Sequence, residues 1–123
     1  VPVFKCDSCA GGCEPVAGVQ GCVHANYKCY SYVRPEFLVN GWSRDRIIEE
    51  INALGVPCYQ GSCSEVYLEK AFDGTGWRPK ERLPVAKELG ETSLMFLVHP
   101  TLTDAEIQKT CDAIERVMSI ASG

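Results

Sequence analysis

The sequence predicts an α+β sandwich built on a small sheet, and three observations carry that expectation. Strand-type and helix-type hydrophobic periodicities alternate from His24 to Ala121. The longest unbroken apolar run, Leu94 to Val98, has the length of a strand. The chain then closes on one long amphipathic helix, introduced by a capping box from Thr103 to Glu106. At 123 residues, with 46% apolar and 23% charged residues, this is one domain with a real core. Strands separated by helices and a single long final helix give a layered arrangement. No internal repeat or low-complexity tract interrupts it.

Each element has its own signal. Residues 1–22 are rich in Gly, Pro, Ala and Cys and show no regular period, so they read as an extended lead-in or inter-domain linker. The folded domain is expected over residues 23–123. In "HANYKCYSYV" from His24 to Val33, alternation predicts a strand, with Tyr30 and Tyr32 facing away from Cys29, Ser31 and Val33. Arg34-Pro35 ends it. "GWSRDRIIEEINALGVP" predicts a helix capped by Ser43, with Ile47, Ile48, Ile51 and Leu54 buried and Gly55 as its stop. "VPCY" suits a short strand, and "SEVYLEKAF" a short helix from Ser64 that buries Val66, Leu68 or Ala71, and Phe72. "FDGTGWRPKER" is a loop by its Gly and Pro content. In "LPVAKELG", Pro84 fits a first helical turn and Gly90 the end. "SLMFLV" is apolar on both faces, which suits a central strand covered on both sides. The last helix is expected to place Ile107, Cys111, Ile114, Val117 or Met118, and Ala121 on one side.

Several function classes are excluded. A net charge of -4 without a basic stripe speaks against a nucleic-acid module. No apolar run approaches the roughly 20 residues of a membrane span, so no membrane partner is expected. The start lacks the pattern of a secretory signal and lacks Met, so a processed protein or a piece of a longer one is expected. There is no phosphate-binding Gly-rich loop and no G-x-S-x-G elbow.

Eight cysteines are the compositional outlier, and five of them fall between Cys6 and Cys29. Cys6, Cys9, Cys13 and Cys22, or His24 in place of the last, could hold zinc or an iron-sulfur centre, and the alternative function is a small zinc-binding interaction module organised by them, although a second Cys-x2-Cys pair is missing and the spacing departs from the ferredoxin run. A secreted disulfide scaffold is a second reading. The third is that they are reduced cytoplasmic thiols used as small apolar residues, Cys111 on a helix stripe among them. His24 and His99 are the only histidines, and neither has an acidic residue at a convincing triad or ligand spacing. For His99, packing or hydrogen bonding at a strand end is the better reading. "CYQGSCSEVY" gathers Tyr59, Gln60, Ser62, Ser64, Glu65 and Tyr67 in a loop between packed elements, where binding groups concentrate.

Taken in order, "HANYKCYSYV", "RDRIIEEINALGV", "YLEKAF" and "RLPVAKELGETSLMFLVHPTLTDAEIQKTCDAI" resemble the C-terminal small domain of the DegT/StrS family of PLP-dependent sugar aminotransferases, a fold-type I group. The resemblance spans about residues 24–121. It implies a small, mostly antiparallel sheet of about three strands with helices packed on it. It also implies that the Schiff-base lysine, the acid facing the pyridine nitrogen and most phosphate contacts belong to a separate N-terminal catalytic domain. PLP is then expected in the parent protein and not on this chain, and neither Lys70 nor Lys87 is expected to be catalytic. The implied parent is a cytoplasmic homodimer that moves an amino group from glutamate to a keto sugar nucleotide. This domain alone would be inactive and would shape the substrate site through Tyr59, Ser62, Tyr67 and His24. Tyr67 stands where the family's "HLQPAY" segment has a histidine, and Val98 stands where a proline usually precedes His99.

Overall fold

The computed structural model describes residues 4–6 and 28–123. Four strands form one sheet: β1 (Phe4–Cys6), β2 (Lys28–Val33), β3 (Cys58–Gln60) and β4 (Ser93–Leu97), in the spatial order β1-β2-β4-β3. Every neighbouring pair is antiparallel. Among the described residues three α-helices accompany it, α1 (Arg44–Ala53), α2 (Pro84–Thr92) and α3 (Asp104–Ala121). The α+β class and the antiparallel sheet are as expected. About three strands were expected and four are present among the described residues, the additional one being Phe4–Cys6, which pairs with β2 inside the stretch read as a lead-in.

The core lies on one face of the sheet. Val33, Cys58, Leu94 and Phe96 alternate onto that face, and Ile47 and Ile51 of α1 and Ala113, Val117, Met118 and Ala121 of α3 close over it. Both long helices start where their caps dictate. The Ser43 hydroxyl accepts from Arg46 N–H at 3.2 Å, and the Thr103–Glu106 box is closed in both directions. Gly55 follows α1 in the left-handed region at φ 73°, which a side chain would disfavour. The Asn52 side chain then ties α1 to β3: its amide nitrogen donates to Ile48 O (2.9 Å) and Cys58 O (2.8 Å), and its oxygen accepts from Cys58 N–H (3.1 Å). At the other end, Val39 N–H donates to Ala121 O at 2.9 Å and fastens the tail of α3 beside the loop before α1.

Four local expectations are corrected. "SEVYLEKAF" forms two short 3-10 turns, Val66–Leu68 and Lys70–Phe72, broken by extended backbone at Glu69. The Arg78 guanidinium donates to the carbonyls of Tyr67, Leu68 and Glu69, the acceptors a continuing helix would have used. Val66 and Leu68 are therefore about half exposed instead of buried. Gly90 does not stop α2, which runs on to Thr92 and straight into β4. Its value is closeness, since a Cβ there would lie 2.7 Å from Ser64 Oγ. On β4, Leu94 and Phe96 are buried but Leu97 is 49% exposed, so the second face is only partly covered. Finally, Ile107 and Cys111 are exposed, because α3 meets the core only from Ala113 onward.

Candidate functional site

The sheet face opposite α1 and α3 carries the polar groups. Strand alternation turns Tyr30 and Tyr32 of β2, Met95 of β4 and Tyr59 of β3 toward it. The register places Tyr30 opposite Met95 and Met95 opposite Tyr59. After β3 the chain stays pressed to the sheet at Gly61, where a Cβ would fall 2.6 Å from Ser93 Cβ and 3.7 Å from the Tyr30 ring. Only glycine permits that approach. Tyr30 thus reaches over β4, and its hydroxyl lies 2.5 Å from Ser62 Oγ.

Beyond Ser62 the segment is locked to the start of α2. The Arg82 guanidinium forks onto the Glu65 carboxylate at 2.6 and 2.5 Å, a charge-assisted bidentate pair. The Tyr67 hydroxyl donates to Glu65 at 2.7 Å and accepts from Leu83 N–H at 3.0 Å. The hydrogen bonds from Arg82, aided by Tyr67, pull the Glu65 carboxyl down to about 2, against the opposing effect of desolvation. Tyr67 moves the other way: burial first, and then its bond to the Glu65 carboxylate, raise its phenol above the ordinary value. A phenol so engaged holds the loop. Arg44 adds a second brace, donating to Gly90 O (3.1 Å) and Ser93 O (3.0 Å) across the α2–β4 junction.

The expected substrate residues therefore separate. Ser62 is joined to Tyr30; Tyr59 is 48% exposed on the same open face; Tyr67 belongs to the clamp with Glu65 and Arg82. His24 lies outside the described residues. Tyr30 and Arg82 were not singled out by sequence reasoning, although alternation set Tyr30 on the face opposite Cys29, Ser31 and Val33. The Arg82 partnership joins residues 17 apart through a loop, which no periodicity encodes. His99 does what a strand-end histidine was expected to do: its Nδ1 lies 2.7 Å from Thr101 Oγ1 and accepts from Thr101 N–H.

An open groove of about 1060 Å³ runs beside this face, between the end of β2 and α2, lined among others by Tyr32, Arg34, Glu36, Lys87, Glu88 and Glu91. These residues do not suit PLP. Lys87 is an exposed side chain 3.8 Å from Glu91 in an i,i+4 pair, and the Glu36, Glu88 and Glu91 carboxylates would repel a phosphate. Lys70 sits in an exposed 3-10 turn. Among the described residues no group of His, Cys, Asp and Glu is placed to hold a metal. Of the zinc candidates, Cys9, Cys13 and Cys22 lie outside the described residues, and Cys6 is described only as part of β1. Cys58, Cys63 and Cys111 are free thiols. No helix among the described residues is long and apolar enough to cross a membrane.

No protein-family model and no curated protein matches the chain. Among solved structures, an aminotransferase from Psychrobacter cryohalolentis matches 82% of the chain at 65% sequence identity with a TM-score of 0.79. The aminotransferase TlmJ from Streptoalloteichus hindustanus matches 97% of it at 16% identity with a TM-score of 0.68, a likeness of fold alone. The chain covers 26% of the first protein and 27% of the second, about a quarter of each. Its fold is thus that of part of an aminotransferase.

Proposed function

We propose that this chain is the C-terminal small domain of a PLP-dependent aminotransferase of the DegT/StrS type, acting on a keto sugar nucleotide in amino-sugar biosynthesis. The observation that carries the reading is the 65% identity to an aminotransferase over 82% of the chain, within a fold shared with a second. The sugar assignment rests on the ordered run of motifs from "HANYKCYSYV" to "TLTDAEIQKTCDAI".

In such an enzyme PLP supplies the electron sink, and protein groups orient the reactants. The residues described here fit the second task. Gly61, Gly90 and the Glu65–Arg82 fork hold the segment after β3 against the sheet, so that Ser62 and Tyr59 are presented on a rigid support. Lys70 sits in an exposed turn and Lys87 pairs with Glu91, so neither is assigned to the cofactor, and the Schiff-base lysine is proposed to belong to a separate catalytic domain, as the family resemblance implies. The whole protein is proposed to be a cytoplasmic homodimer with glutamate as the amino donor.

The test is amino transfer by the complete polypeptide. Supplied with PLP, glutamate and a panel of keto sugar nucleotides, it is expected to release 2-oxoglutarate in step with an amino sugar nucleotide. Transfer to simple 2-oxo acids alone, with every keto sugar nucleotide refused, would overturn the sugar assignment while leaving an aminotransferase.

A further inference from the structure

We infer that Tyr30, paired with Ser62, forms with Tyr59 a subsite that receives the hexose ring of a nucleotide sugar, and that Tyr67 positions this subsite without touching the ligand. The inference rests on the sugar-nucleotide reading above and adds to it the residues that would recognise the ring.

The geometry that points there is the 2.5 Å contact between the Tyr30 hydroxyl and Ser62 Oγ. Two hydroxyls in one hydrogen bond use one O–H between them, leaving the second O–H and several lone pairs for a ligand. A sugar hydroxyl likewise donates and accepts, so the pair can engage one in either sense. The surroundings supply the other half of sugar recognition. Met95 lies between Tyr30 and Tyr59 in the register, a row of about 10 Å across three strands on the partly covered face. The C–H face of a pyranose is apolar and packs on aromatic rings, while its hydroxyls need partners at the rim.

The subsite is also held still. Gly61 lets the backbone lie against Ser93 and the Tyr30 ring, and Gly90 admits Ser64. The Arg82 fork fixes Glu65, three residues beyond Ser62. With both of its oxygen contacts inside the clamp, Tyr67 acts through the position of Ser62. Such preorganisation lowers the ordering cost of binding.

Affinity measurements separate a sugar subsite from a structural role. In the complete polypeptide, dissociation constants are measured for UDP-glucose against UDP and for dTDP-glucose against dTDP. The ratio within each pair isolates the hexose. Wild type is expected to favour at least one sugar-bearing ligand over its diphosphate. Tyr30→Phe and Ser62→Ala should each cut that preference by roughly three- to tenfold, the scale of one hydrogen bond, with affinity for the bare diphosphate unchanged. The double variant should lose little more than either single one, since the hydroxyls act as a unit. A wild-type preference that survives both substitutions overturns the inference alone. A bare diphosphate affinity that falls in parallel also overturns it, by showing a structural role. A wild type that binds none of the four ligands removes the sugar-nucleotide reading and this inference with it.

Discussion

Replacing Asn52 by alanine removes three hydrogen bonds at once, and their unequal surroundings set the size of the effect. The bond to Ile48 O is solvent-exposed and contributes little. The other two satisfy the N–H and C=O of Cys58, a residue only 1% exposed, whose backbone groups have little access to water. Leaving two such groups unpaired costs about 2 kcal/mol, and about 1 kcal/mol if water enters the space vacated by the amide. For a domain of this size that is a loss of roughly 4–10 °C in Tm. Urea unfolding read by tryptophan fluorescence measures it, since Trp42 packs on the core while Trp77 is already 79% exposed in the folded state. Asn52→Asp adds a sign. The carboxylate keeps an acceptor for Cys58 N–H but turns an oxygen toward two carbonyls, so its folded-state pKa is raised above the unfolded value of about 3.9. Stability is then greatest below that unfolded value and is lost as pH rises through the folded one. An Asn52→Ala variant within about 0.5 kcal/mol of wild type, the range of ordinary surface changes, would refute the reasoning.

Three further outcomes follow from single observations. Thr103→Ala opens the capping box of α3 and should cost about 1 kcal/mol in the same unfolding assay. Arg82→Met should bring the Glu65 carboxyl up from about 2 toward the ordinary range, seen by NMR titration of that side chain; because the folded value is depressed, the clamp's contribution in wild type is present at neutral pH and lost only as pH falls toward 2. Burial pushes the Cys58 thiol up to about 11 from an ordinary 9.0, so its contribution holds below pH 9 and is lost as pH rises through 11. At pH 8, iodoacetamide should accordingly label the exposed Cys63 and Cys111 well before Cys58, as peptide mapping by mass spectrometry would show.

Local chemistry was legible wherever it is encoded by neighbours in sequence. Ser43 and the Thr103–Glu106 box start their helices as expected, because a cap uses atoms within three residues. The alternation of β2 and the i,i+4 pattern of Ile47 and Ile51 likewise carried through to burial. What was not legible depends on partners distant in sequence. Arg78 takes the carbonyls around Leu68 and turns an expected helix into two short turns. Gly90 looked like a helix stop, yet it serves a contact with Ser64 on another segment. Cys111 and Ile107 share a helical face with Ile114, but only the later turns of α3 lie over the sheet. At the site, Tyr67 was singled out by its place on the "HLQPAY" segment of the resemblance, whereas the Glu65–Arg82 fork it joins could not be read from spacing.

The central claim is that the cofactor's lysine lies outside this chain, and borohydride trapping tests it most directly. The complete polypeptide, loaded with PLP, reduced and digested, is expected to yield one stoichiometric pyridoxyl-lysine peptide from outside these 123 residues. A stoichiometric pyridoxyl group on Lys70, Lys87 or any other lysine of this chain would contradict the account.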